Sequence, residues 1–148
     1  MSRMRVVAVL GIVSAVWVGA VVHAAQVQPA SSTWDGVYTD AQAKLGQDAY
    51  TKACAECHGQ DLAGDGFAPG LKGPDFLTNW NGLSVGDLFD RIRVSMPPDN
   101  PSSVGSKEKI EIVAYILKEG GFPAGQAELP TALDGLKTIK IDANKPGQ

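Results

Sequence analysis

Cys54-Ala55-Glu56-Cys57-His58 is the stretch on which the reading of this chain turns, and it holds both of the chain's cysteines. Two cysteines three apart serve a structural disulfide, a thioredoxin-like redox pair, half of a zinc site, or the thioether attachment of a c-type haem. The zinc reading lacks a second cluster of cysteine or histidine to complete four ligands. A thioredoxin-like pair wants a strand before it and a helix after it; here a helical pattern comes before and a glycine-rich stretch after. Cysteines so spaced at the end of a helix project toward one side, so both sulfurs can bond the vinyl groups of one porphyrin while His58 reaches the iron. The motif is read as a covalent haem site, with the disulfide as the competing assignment.

Outward from the motif, Thr39 followed by Gln42 is a capping-box pattern with Asp40 in the first turn. Leu45, Gly46, Ala49, Tyr50 and Ala53 then form an apolar stripe at helical spacing leading into Cys54. On the other side, Gly59, Gly64, Gly66, Pro69, Gly70 and Gly73 predict a loop without regular structure. Ser84 with Asp87 opens a second helix, buried through Val85, Leu88, Phe89 and Ile92 and ended by Pro97-Pro98 just beyond Met96. A third runs from Ser106 to Glu119 and stops at Gly120-Gly121. The tail to Gln148 shows one alternating piece, Thr138 to Ile141. No repeat and no strand-rich stretch appears, so the expected fold is all-α, with three to four short helices.

The first residues carry Arg3 and Arg5 ahead of an uncharged run from Val6 to Val22, ending in Val22-His23-Ala24-Ala25. This is the pattern of a secretory signal peptide over residues 1–24, with an uncleaved membrane anchor as the alternative. The expected division is leader 1–24, an extended N-terminal arm 25–38, a haem domain 39–122 and a C-terminal extension 123–148. The 13 basic residues include Arg3 and Arg5, so loss of the leader leaves 11 against 16 acidic ones, five net negative charges. That balance excludes the basic stripe a nucleic-acid binder needs, and after leader cleavage no membrane span is expected.

Beyond the leader, His58 is the only histidine and Met96 the only methionine. Two histidine ligands within one chain are then impossible. Met96, before two prolines, is either a thioether ligand to iron or core filler. A histidine on iron donates its other ring nitrogen to an oxygen acceptor, and Pro69 supplies the candidate carbonyl unless it only stiffens its loop. Trp80 donates its indole N–H either to a haem propionate or to a backbone carbonyl. Leu71, Phe76 and Leu83 are candidate haem-wall residues that equally suit a core.

Gly46, Tyr50, Cys54, Cys57, His58, Pro69, Leu71, Met96 and Tyr115 together resemble the monohaem class I cytochrome c family. The resemblance implies first and last helices crossing so that Gly46 and Tyr50 meet Ile112 and Tyr115, Pro69 accepting from His58, and Leu71 packed on the porphyrin. Gly36-Val37-Tyr38-Thr39, Gln42-Ala43, Met96-Pro97-Pro98 and Gly121-Phe122-Pro123-Ala124-Gly125 look like the small cytochromes that accompany bacterial quinoprotein dehydrogenases. What this implies is an exported, periplasmic carrier of single electrons, with one covalently bound haem c, His58 and Met96 on its iron, and no enzyme activity. Its expected partners are redox proteins, with a quinoprotein dehydrogenase as donor and a terminal oxidase as acceptor. The rival readings are a haem sensor or peroxidase with a labile Met96, and a fixed cytochrome subunit of an oxidoreductase complex.

Overall fold

The computed structural model describes residues 32–147, so the expected leader and the arm as far as residue 31 lie outside the described residues. The described chain is all-helical: α1 (Asp40–Ala53), α2 (Ala55–His58), α3 (Gly73–Trp80), α4 (Val85–Ser95), α5 (Ser106–Glu119) and α6 (Leu133–Lys137). Short 3-10 turns at Thr33–Asp35 and Pro101–Ser103 complete it. This is a cytochrome c fold, with more short helices than the three or four expected.

α1 packs against α5, and the contact is backbone on backbone. A Cβ added at Gly46 would stand 1.8 Å from the Glu111 carbonyl oxygen, so only glycine lets the helices approach this closely. Tyr50 and Tyr115 pack beside the same crossing, ring centroids 5.4 Å apart. Ile110, Ile112, Val113, Ile116 and Leu117 of α5 are all buried. α5 ends in a Schellman arrangement, with the Phe122 amide on Leu117 and the Gly121 amide on Lys118. Gly121, at φ 85°, takes the left-handed position this cap requires.

Three expectations are corrected. Leu45 is half exposed rather than part of the buried stripe, which runs instead through Gln42, Ala43, Gly46 and Tyr50. Thr39 caps α1 by accepting from the Gln42 amide at 3.1 Å, but the reciprocal half of the box is missing. The Gln42 side chain is buried and accepts from the Leu129 amide at 2.9 Å, tying α1 to the chain after residue 122. Thirdly, α3 takes over from the expected loop at Gly73, the last residue of that loop, in a stretch to which the sequence assigned no element. It is eight residues long with Pro74 in its first turn, a favoured place for proline, and Phe76 alone fully buried, so its apolar period is too short to register in sequence.

The segment after residue 122 belongs to the same core. Leu129, Leu136, Ile139 and Ile141 are buried, and α6 lies against α4. The alternating piece Thr138 to Ile141 forms isolated bridges, not a strand: Lys140 pairs with Ser32 and Ser84. Its backbone takes the amides of Thr33 and Val85, each at 2.8 Å, while Ile139 and Ile141 face inward. The arm is fastened here too. Trp34 Nε1 donates to the Asp142 carbonyl at 2.8 Å, and the Tyr38 hydroxyl donates to the Phe122 carbonyl at 2.6 Å.

Candidate functional site

α1 delivers the motif. Cys54 is its C-cap, with its amide on the Tyr50 carbonyl at 2.8 Å. The chain turns at once into α2, where the His58 amide bonds the Cys54 carbonyl at 3.0 Å. One short turn thus carries Cys54, Cys57 and His58. The two cysteines are not joined to each other, Cys54 being partly buried and Cys57 exposed. Burial pushes the Cys54 thiol up to about 11, with Lys109 opposing and Cys57 reinforcing the shift. A redox thiol of the thioredoxin kind needs the opposite shift, so the environment argues against that alternative.

His58 is buried at 9% exposure, and its Nδ1 lies 2.8 Å from the Pro69 carbonyl oxygen. Held as the donor in that bond, Nδ1 carries the proton and Nε2 keeps its lone pair for a metal. The glycine-rich loop is folded tightly to bring Pro69 there. The Gly64 amide donates to the His58 carbonyl at 2.9 Å, and the Leu71 amide to the Leu62 carbonyl at 2.8 Å. Gly64 sits at φ 81°, where an added Cβ would be 2.6 Å from the Ala68 carbonyl, so the turn admits no side chain. Tyr50 also reaches the loop, its hydroxyl donating to the Gly59 carbonyl at 2.7 Å. One residue, Tyr50, therefore links the helix crossing to the residue that follows His58.

Leu71 is partly buried against the core, as is Trp80, whose ring lies 6.1 Å from that of Phe76. Among the described residues no hydrogen bond from the Trp80 indole N–H to a backbone carbonyl is found. Phe76 is buried, whereas Leu83 is exposed at 44%. Met96, partly buried, is the C-cap of α4, its amide on the Ile92 carbonyl at 3.0 Å. Among the described residues neither Met96 nor Trp80 makes a polar contact with the His58 cluster. Sequence reasoning passed over Lys109, buried at 2% exposure. Its signal was positional, since Lys109 shares a helical face with Ile112, Val113 and Ile116.

The donor set fits a covalently held haem: two unjoined thiols three residues apart and a histidine whose Nδ1 is fixed, leaving Nε2 for iron. Fold and site together define a c-type cytochrome, a protein of electron transfer. Residues 41–116 match the family described as cytochrome c oxidase, cbb3-type, subunit III, and the chain belongs to that family. Membership implies covalently bound haem c. The chain is also 30% identical over 80 residues to the cbb3-type cytochrome c oxidase subunit CcoP of Rubrivivax gelatinosus, which is 53% of this chain and 26% of that protein. This chain thus matches about a quarter of that relative's length. No solved structure matches it.

Proposed function

We propose that the chain is an exported, periplasmic monohaem cytochrome that relays single electrons between redox proteins. Cys54 and Cys57 would hold the porphyrin by thioethers, and His58 Nε2 and Met96 Sδ would be the two protein ligands offered to its iron. The single observation that carries this reading is the 2.8 Å pairing of His58 Nδ1 with the Pro69 carbonyl, which fixes the imidazole in the tautomer a metal needs. The haem, when bound, supplies a one-electron iron couple. The protein's part would be to supply both iron ligands itself, from His58 and Met96, so that substrate finds no open site, and to favour the reduced state through the soft thioether of Met96. Leu71 would wall the ring, and Trp80 would offer its indole N–H to a propionate. Residues 39–122 are the haem domain proper, flanked by an arm (25–38) and an extension (123–148) whose described residues, 32–38 and 123–147, pack on it.

An oxidase complex is the partner favoured on the accepting side, because the relative named above is a subunit of a cbb3-type cytochrome c oxidase. A quinoprotein dehydrogenase as donor rests on the blocks 36–39 and 121–125 alone. The test is direct. Acid acetone should leave haem on the polypeptide, and intact mass should exceed the mature chain by a single haem. Free extraction of haem would overturn the covalent reading. Oxidation of the reduced protein by membranes containing a cbb3-type oxidase, at a rate that saturates with cytochrome, would support the oxidase as acceptor; no oxidation would remove it.

A further inference from the structure

Lys109 occupies a place where the helical pattern calls for an apolar side chain. It lies on the inward face of α5, 2% exposed, and among the described residues no carboxylate is within ion-pair distance of it. Its Nζ donates instead to two backbone oxygens, that of Arg93 at 3.1 Å and that of Pro101 at 2.6 Å. Arg93 is in the last turn of α4, and Pro101 opens the 3-10 turn that follows. Between them runs the segment 94–100, with Met96 inside it. The lysine therefore ties both ends of the Met96 segment to α5.

Burying an ammonium without a carboxylate is costly, and burial holds Lys109 below the usual lysine range. Apolar packing of similar volume would avoid that cost. An apolar side chain, however, offers no donor to the carbonyls at the end of α4, which carry the negative end of its dipole. Nor could it tie two separate turns at one point. We propose that Lys109 is a positioning residue that keeps Met96 at bonding distance from the iron. The inference rests on the reading of Met96 as an axial ligand.

The test uses the haem-loaded protein and three variants: Lys109→Met, Met96→Ala, and Ile116→Ala, a deletion on the same helix that leaves both carbonyls their donor. Readouts are the weak far-red absorption of sulfur-bound ferric haem, the midpoint potential, and carbon monoxide association with the ferrous protein. Lys109→Met should lose the sulfur band at a lower temperature than Ile116→Ala. It should bind carbon monoxide at least about tenfold faster than wild type, the scale set by losing a charged hydrogen bond. Its potential should fall toward that of Met96→Ala. If Met96→Ala abolishes the band while Lys109→Met keeps the wild-type band, potential and carbon monoxide rate, Lys109 is a structural residue only and the proposal fails alone. A band that survives Met96→Ala removes the ligand reading and this proposal with it. Should Lys109→Met not accumulate, Lys109→Gln, which retains one donor, is to be judged by the same readings and should fall between wild type and Met96→Ala.

Discussion

At the scale of single residues, one proton decides what His58 is for. With Nδ1 held by the Pro69 carbonyl, replacing His58 removes an imidazole whose orientation was prepared by a folded loop, and under the proposed ligation haem maturation itself should suffer. Met96 is different, because it sits at the end of α4 without a polar partner to the His58 cluster. Met96→Ala should therefore still accumulate as haem protein, lose the sulfur band, drop in potential and bind carbon monoxide on the ferrous iron; optical titration of the two variants separates these outcomes. Tyr38 supplies a pH-dependent prediction. Burial, then Asp40 and Glu119, push its hydroxyl up to about 12, against about 10 in the unfolded chain. The folded state keeps the proton that the unfolded state releases, so stability is full below about pH 10 and declines as pH rises from about 10 through about 12. Tyr50 is raised as well, first by burial, and adds to the decline. Tyr38→Phe should cost about 0.5–1.5 kcal/mol at neutral pH through the lost bond to Phe122, yet show a shallower alkaline loss in urea melts.

At the scale of elements, Gly46 gives the firmest prediction. A methyl group there has 1.8 Å to the Glu111 carbonyl oxygen, so Gly46→Ala must push α1 off α5, and overpacking of this kind costs about 1–3 kcal/mol or more. Denaturant midpoints should fall accordingly. Capping offers a milder case. Ser84 accepts from the Asp87 amide at 3.0 Å while the Asp87 carboxylate accepts from the Ser84 amide at 2.9 Å, so Ser84→Ala should cost about 1 kcal/mol. That cap was visible in sequence because both members are local. So was α5 to the residue, Ser106–Glu119, since its apolar period is long and glycines end it. What sequence hid was decided by distant partners. Gln42 looks like half of a local cap but is claimed by Leu129, 87 residues away. Leu45 fits the helical stripe but lies on the wrong side of the face that α5 covers. Lys109 looks like a surface charge until the two carbonyls it serves are brought to it by folding. Cys54, Cys57 and His58 could be singled out because one turn holds them, and the His58–Pro69 pairing could be anticipated from the need of an iron-bound histidine for an oxygen acceptor, which the family resemblance reinforced.

At the scale of the whole molecule, the two ends of the described chain pack on the helical core, and the charge of the chain should bear on how it meets partners. Removing residues 126–148 would take away Leu129, Leu136, Ile139 and Ile141, all buried, at about 1.5–3 kcal/mol for each large apolar side chain. It would also leave the Gln42 amide without its partner. The sum is comparable with the whole stability of a small domain, about 5–15 kcal/mol. The truncated protein should therefore be degraded or recovered without cooperative unfolding, as limited proteolysis and thermal melts would show. Encounter with partners is a question of net charge. The chain carries a formal charge of −3 at pH 7, and without Arg3 and Arg5 it stands at 11 basic against 16 acidic residues, before any haem propionate is counted. A field of that sign attracts a basic docking surface at long range, and salt screens it over about 8 Å at physiological strength. Stopped-flow electron transfer to a basic partner should accordingly slow between low and physiological salt, while transfer within a preformed complex, which involves no diffusional encounter, should not. Rates to every tested partner that stay flat across that range would mean that charge does not steer the encounter and that apolar contact governs docking.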